Sequence, residues 1–456
     1  MKINVCQLGF GQQGKRNVEK FGLLKKEGKE GYDIRLFGVV DINPDQFKKT
    51  VDGKNYLKDL FPEAKEYVGR ASEFIKKYND GNILHFDATS TVFEGKDIHA
   101  ENMFAYLETL PENYIKVYAV EKPFTTSLEY TSEIIKRFKE LEICPIINAV
   151  ESYMPVKIAT IEDIAKNGFD ISECRYYRLS AVHEKSVQTG RLILIDYGGS
   201  FYDKSPHDIT KFLQTYETRY GKLPKPKILK ADLYILKIIT PDGKEVFVTK
   251  DGRLTFDESA KNLSDAYAEV KLKFGDTVVT FYSSHVGIKP HDLEMIESVF
   301  TPEVKKSVAE AFTRMGVPRS PEDVKGAYGI NGWNIECRVE VIDCIGKNGE
   351  EVRYITQTFG RPTPSFFTVR IIDNKDVEVL QIGPSDGHKL FVKNAIDVAL
   401  EKAKPLIPYD VILREAEIFN IIGKNAKRIG YQEIDLRRPE YSKLAEFIGS
   451  RLREVV

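Results

Sequence analysis

The chain is poor in cysteine, nearly without tryptophan and almost free of net charge, and each scarcity removes a class of protein. Its five cysteines (Cys6, Cys144, Cys174, Cys337 and Cys344) are odd in number and form no C-x-x-C pair. A disulfide framework and a structural zinc are therefore not expected; a reduced intracellular setting is. The formal charge is −1 over 456 residues, which gives neither nucleic acid nor an anionic membrane a reason to bind. No uninterrupted apolar stretch approaches the ~20 residues of a membrane span. The first strand-like run begins at once, leaving no room for a signal peptide. The expectation is a cytoplasmic protein with no membrane partner. Internal repeats and low-complexity segments are absent. A serine-nucleophile elbow is absent too, since Gly199-Ser200 lacks the flanking pattern.

What is present begins with Gly9-Phe10-Gly11-Gln12-Gln13-Gly14. It follows an apolar run in which Ile3, Val5, Cys6 and Leu8 give a buried-strand pattern, and Lys15 to Leu24 reads as an amphipathic helix. G-x-G-x-x-G between strand and helix binds the pyrophosphate of a dinucleotide. Gly9 allows the tight turn, Gly11 lets the backbone approach the phosphates, and Gly14 lets helix and strand pack closely. The helix then presents unpaired N–H groups and its positive dipole end to the anion. A second apolar run, Ile34 to Val40, closes on Asp41, which lies 27 residues past Gly14 against a usual ~20. The polar stretch Lys25 to Gly31 absorbs the excess as a longer loop. An acid at this strand tip accepts hydrogen bonds from the adenosine ribose and repels the extra phosphate of NADP. NAD is thus the expected cofactor, ahead of NADP. The plainer reading of Asp41 is a turn opened with Asn43-Pro44.

Length allows two or three domains, each with its own core. Residues 1–150 alternate strand-like segments (Lys2–Leu8, Ile34–Asp41, Ile83–Thr89, Tyr114–Val120, Cys144–Val150) with helix-like ones (Ala71–Tyr78, Asp97–Leu110, Ser127–Leu141). That alternation predicts the α/β class and a doubly wound, parallel, dinucleotide-binding sheet. Residues 151–456 differ. Asp232–Ile239, Ala268–Phe274, Val278–Ser284, Ile335–Ile342, Val352–Phe359 and Phe367–Ile372 predict an α+β domain on a large, mostly antiparallel open sheet with one bare face. Helical, charged sequence at 302–325 lies inside a stretch, about 290–387, that reads as an insertion. The end returns to helix at Leu390–Ala403, Tyr409–Ala426 and Tyr441–Glu454. A bare sheet face commonly meets a symmetric partner, so a homodimer or homotetramer is expected.

Two clusters carry candidate chemistry. Glu121-Lys122-Pro123 directly follows the strand ending at Val120, at the edge of the sheet where ligands bind. Pro123 biases Lys122 towards an extended conformation. An ammonium held there stabilises developing alkoxide charge on a substrate hydroxyl; the alternative is an ordinary surface lysine. The second cluster is Gly198-Gly199-Ser200-Phe201-Tyr202-Asp203-Lys204-Ser205-Pro206-His207-Asp208. Ser205 reads as an N-cap, Pro206 as the first helical residue and Asp208 as the partner of a capping box. His207 then falls in the first turn, where the dipole favours a neutral imidazole suited to general-base work. Asp203 orients that imidazole or the substrate. The alternative for His207 is a capped surface or core histidine. His85 reads as packed in its strand, His99 as a neighbour of the cofactor edge, and His183, His285, His291 and His388 as having no metal-site spacing.

In this order the motifs resemble those of the glucose–fructose oxidoreductase/inositol dehydrogenase/rhizopine-catabolism (Gfo/Idh/MocA) family. The resemblance rests on Gly9-x-Gly11-x-x-Gly14, Glu121-Lys122-Pro123, and Gly198-Gly199 followed by Asp203-x-x-x-His207. Thr89-Ser90 with His99 downstream, and Ile147 leading into Tyr153-x-Pro155, are similar to further family regions. It covers residues 1 to about 290 by motif and 388–426 as a closing helical region. The resemblance implies a Rossmann domain followed by an open-sheet domain, with Lys122, Asp203 and His207 as the catalytic trio. It also implies that Gly9 to Gly14, Asp41, Thr89, Ser90, His99, Glu121 and Lys122 hold the cofactor, and that Tyr153 joins the trio at the substrate. The chain departs from the family's D-x-G-x-H-x-x-D pattern at Ser205 and Thr210, and has Ser152 where an arginine is common.

Three functions are compatible with these residues. The first is NAD(P)-dependent hydride transfer at a hydroxyl of a sugar, cyclitol or related polyol. The second uses the same groups for transient oxidation, ending in elimination, epimerisation or glycoside cleavage without net redox change. The third is a non-catalytic dinucleotide-binding protein.

Overall fold

The computed structural model describes residues 2–27, 32–48, 55–93, 96–180, 200–249, 253–260, 263–286, 289–330, 334–359 and 366–452. Gly198, Gly199 and His183 lie outside the described residues. The chain divides into two compact units, Met1–Met154 with Asp386–Glu417 and Pro155–Ser385 with Ile418–Val456. Among the described residues no helix is long and apolar enough to cross a membrane.

In the first unit, β1 (Lys2–Leu8) runs into α1 (Gln12–Glu27), then β2 (Asp33–Asp41), α2 (Tyr56–Leu60), β3 (Lys65–Val68), α3 (Ala71–Tyr78) and β4 (Ile83–Asp87). A small hairpin, β5 (Val92–Phe93) and β6 (Lys96–Asp97), precedes α4 (Ile98–Glu108), β7 (Val117–Val120), α5 (Leu128–Glu140) and β8 (Cys144–Ile147). Six strands pair in the order β3-β2-β1-β4-β7-β8, and every pairing is parallel. The sheet is buried on both faces, which is why β4 is inaccessible along its whole length. Winding reverses between β1 and β4, the switch point where open α/β sheets bind ligands. The expected Rossmann sheet is present. Its one unforeseen strand, β3, is a four-residue edge with mostly exposed side chains and no apolar pattern to announce it. Helix Gly387–Ala399 returns to this unit and packs Phe391 against Phe86 and Tyr153.

The second unit holds a mixed, mostly antiparallel sheet of twelve strands. After α6 (Pro155–Asn167) come β9 (Asp170–Ser180), α7 (Ser200–Tyr220), β10 (Lys227–Ile239), β11 (Glu245–Val248), β12 (Leu254–Thr255), β13 (Asp265–Phe274) and β14 (Thr277–Ser284). Then follow α8 (Pro290–Val299), α9 (Pro302–Arg314), β15 (Tyr328–Ile330), β16 (Asn334–Ile345), β17 (Glu351–Gln357), β18 (Phe367–Ile372), β19 (Asp376–Ile382) and β20 (Lys427–Asp435). The order is β12-β11-β10-β13-β14-β9-β16-β17-β18-β19, with β15 on β16 and β20 on β10.

One face of this sheet carries α6 and α7 over a buried polar layer. Lys157 pairs with Glu340, which also accepts from the Tyr176 hydroxyl; Asp208 pairs with Arg178 at 3.0 Å and Lys211 at 2.9 Å. Thr160, Thr356 and Thr368 close a hydroxyl triangle. The other face was expected to be bare, and the structure corrects this. Ile296 and Val299 of α8, with Val304, Val308 and Phe312 of α9, bury Tyr177, Leu179, Val339, Ile355 and Val369 in one apolar cluster. The segment read as an insertion thus covers its own sheet, and the bare-face argument for a symmetric partner does not apply there.

His85 is fully buried in β4 between Tyr106 and Tyr118, with no hydrogen-bond partner on either ring nitrogen among the described residues. Desolvation lowers its pKa to about 4. Between the unfolded value near 6.5 and that folded value, protons bind the unfolded chain preferentially, so stability falls with falling pH and is full above 6.5. The loss attributable to this one imidazole is on the order of 3 kcal/mol. Urea midpoints at pH 7 and pH 4.5 should therefore separate more in the native chain than in His85→Leu. Equal separation in the two proteins refutes the assignment.

Candidate active site

At two of its three glycines the β1–α1 turn leaves no room for a side chain. Gly9 has φ +75°, and a Cβ there would lie 2.5 Å from the carbonyl oxygen of Ala88. At Gly14 a Cβ would stand 2.0 Å from the carbonyl oxygen of Gly9. Gly11 is different: a Cβ would meet nothing within 4 Å. The fold therefore demands glycine at the first and third positions, whereas the second faces open space. A phosphate that needs close approach to backbone fits this cradle.

Two polar side chains hold the turn. Buried Gln7 donates to the carbonyls of Leu8, Gly9 and Phe86 and accepts from Asn17. Asp41 accepts the Phe10 N–H on Oδ2 at 2.6 Å and the Asn43 N–H on Oδ1 at 2.8 Å. Asp41 organises the turn into Asn43 and also lines a cavity of about 310 Å³ at the carboxyl ends of β1, β2 and β4. Gly9, Gly11, Thr89, Ser90 and Arg70 line the same cavity; Phe10, Gln12, Gln13, Gly14, His99, Glu121 and Lys122 do not. The Phe10 ring is buried and stacks on Phe47. Gln12 and Gln13 open α1.

The β4 loop is shaped by Asp87, which the sequence reading passed over. It accepts from the Thr89 hydroxyl at 2.7 Å, Asn102 at 2.8 Å and Tyr118 at 3.0 Å. His99 is completely buried, and its ring nitrogens lie 3.0 Å from the carbonyl of Pro123 and 3.2 Å from that of Thr89. It ties the loops after β4 and β7 together and leaves no ring edge for a ligand. Glu121 follows β7, is hydrogen-bonded by Asn148, and has its carboxyl pushed up by desolvation against the lowering influence of the Lys122 ammonium. Lys122, half-buried, sits on the carboxyl edge of the sheet beside β4. Tyr153 is 1% exposed and donates its hydroxyl proton to the carbonyl of Ile147 at 2.9 Å.

In the second unit the local expectation for His207 is corrected. The helix α7 already includes Ser200, so Ser205 is no N-cap and Pro206 lies inside the helix. His207 is in the eighth position, beyond the first turn to which the dipole effect is confined. Asp208 is no capping residue either; it is the buried partner of Arg178 and Lys211. The helix start is capped instead from β13: Asp265 Oδ2 accepts from Ser200 Oγ at 2.7 Å and the Phe201 N–H at 2.9 Å.

Asp203 and His207 stand four residues apart, on one face of α7. Asp203 Oδ2 lies 3.2 Å from His285 Nε2, with the side chains 14% and 16% exposed. Lys204 donates to Ser180 Oγ at 2.7 Å, and burial lowers its pKa to about 8 despite nearby Glu336 and Asp203. Sequence reasoning missed His285 and Lys204. No local signal marks His285, because its partner belongs to a distant element.

No family model and no curated protein sequence matches the chain. Solved structures do. A 3-ketoreductase from Actinomadura kijaniata, in complex with NADP and TDP-benzene, superposes with TM-score 0.57 at 11% identity, covering 95% of this chain and 100% of that one. UDP-N-acetylglucosamine 3-dehydrogenase from Acidithiobacillus ferrooxidans gives TM-score 0.53 at 11% identity, over 93% and 98%. A probable dehydrogenase from Thermotoga maritima gives 0.51 at 14%, over 93% and 95%. At such identities the likeness establishes the fold.

The glycine geometry yields a paired test. Gly11→Ala should leave the melting temperature within about 2 °C while weakening NADH binding at least about tenfold; Gly14→Ala should lower the melting temperature by several degrees. Unchanged NADH affinity in the stably folded Gly11→Ala protein refutes the phosphate cradle.

Proposed function

We propose that the chain is a divergent member of the Gfo/Idh/MocA family, a nicotinamide dinucleotide-dependent oxidoreductase acting on a hydroxyl of a sugar or related polyol. The observation that carries this reading is the Gly11 cradle, open at the one glycine the fold does not require, at the switch point of a parallel sheet. Support comes from the fold shared with a 3-ketoreductase and a UDP-N-acetylglucosamine 3-dehydrogenase, and from Lys122, Asp203 and His207 in the family's order. The roles expected from sequence for 1–150 (dinucleotide binding) and 151–456 (substrate binding) belong to the same proposal, with Asp386–Glu417 grouped with the first unit rather than the second.

Gly9, Gly11 and the α1 N-terminus would hold the pyrophosphate, with Asp41 at the adenosine ribose and Thr89 and Ser90 on the opposite wall. The bound nicotinamide supplies a hydride acceptor or donor. The Lys122 ammonium hydrogen-bonds the reacting oxygen and stabilises its developing charge. His207 takes the hydroxyl proton during oxidation and returns it during reduction, while Asp203 orients the oxygen. NAD is preferred over NADP because the Asp41 carboxylate opposes a further phosphate at the ribose. Arg70 and Lys96 line the same cavity as cations that a further phosphate could meet once the carboxylate is neutralised.

Asp41→Asn should raise NADPH affinity relative to NADH by about tenfold, read by fluorescence titration; an unchanged ratio removes Asp41 from cofactor selection. Lys122→Ala and His207→Ala should each lower turnover at least about 10²-fold on an accepted sugar while NADH binding persists. Native turnover in both variants would defeat the catalytic assignment.

A further inference from the structure

Resting on that reading, we infer that His285 is a positioning residue for Asp203. The two belong to different elements, α7 and the residue after β14, yet their side chains meet at 3.2 Å in a partly shielded setting. Each is mounted on backbone that is fixed without the other. The His285 N–H bonds the carbonyl of Ala266 at 3.0 Å, and the next residue donates its N–H to Ser284 Oγ at 3.1 Å. Val286 is buried, and its carbonyl accepts from Gln432 at 3.0 Å. On the other side, Asp265 caps the start of α7, and Phe201 and Tyr202 pack on Phe419. The imidazole is therefore not needed to hold the strand end, nor the carboxylate to hold the helix.

What the pairing does is restrict the carboxylate. An aspartate in a helix retains torsional freedom at its own side chain, and a catalytic carboxylate displaced by about 1 Å costs up to about 10²-fold in rate. The adjacent cation, Lys204, is engaged with Ser180 and lies near Glu336 and Arg338. His285 faces Asp203 from the sheet side, while His207 lies one turn on along α7. At that distance an imidazole N–H directed at Oδ2 restricts the rotation of the carboxylate.

The test has a spectroscopic arm and a kinetic arm, both on the full chain. With histidine labelled by ¹⁵N, the His285 ring nitrogens should shift in Asp203→Asn, while those of His85 stay in place. An unshifted His285 signal overturns the inference whatever the catalytic result. Kinetically, on a sugar accepted in a screen that includes UDP-N-acetylglucosamine and myo-inositol, His285→Phe should lower kcat by about 10- to 100-fold with NADH affinity unchanged. His285→Gln, which keeps an N–H donor at similar reach, should recover most of that loss. Phe and Gln variants of equal activity also overturn it. If instead Lys122→Ala and His207→Ala retain native turnover, the proposed function fails by itself, and the nitrogen shift still decides whether the pair exists.

Discussion

Backbone passing over backbone at the β1–α1 turn is the constraint on which the first unit depends. Gly9 lies under the β4 loop, and α1 starts close enough to that turn for Gly14 to rest on the Gly9 carbonyl. No side-chain packing makes such an approach; only the absence of two Cβ atoms does. Gln7 and Asp41 then lock the strand ends around it. The cavity at the switch point results from that closure.

The second unit is governed by a different rule, that ions withdrawn from water need partners. Lys157 with Glu340, and Asp208 with Arg178 and Lys211, lie between α6, α7 and the sheet with almost no exposure. Removing one member would strand its partner in a dry interior at a cost of about 3–5 kcal/mol. Burial pulls the Lys157 pKa down while Glu340 pulls it up. These pairs allow few placements of α7 against β9 and β16, and Asp203 and His207 are carried on that helix.

The two units were unequally legible in the sequence. The glycine fingerprint, β1, β2 and β4 could be read because their determinants are local: an apolar run, then residues without side chains. The parallel sheet followed from alternation alone. β9, central in the second sheet, was missed because Asp170–Ser180 mixes charges and tyrosines whose burial depends on partners supplied later in the chain. β20 was missed because it is an edge strand with largely exposed residues. Ser205-Pro206 satisfied every local rule for a helix start, and those rules lost to a cap from β13. His99 and Tyr153 were placed near the right loops, but their polar atoms are consumed by backbone carbonyls.

The cap from Asp265 has a consequence for how the chain assembles. A helix begun by its own preceding residues can nucleate alone, whereas the first turn of α7 waits for a strand some sixty residues downstream. The turn bearing Asp203 is thus tied to the sheet by a contact that is distant in sequence. The acid is thereby referenced to the sheet as well as to its own helix.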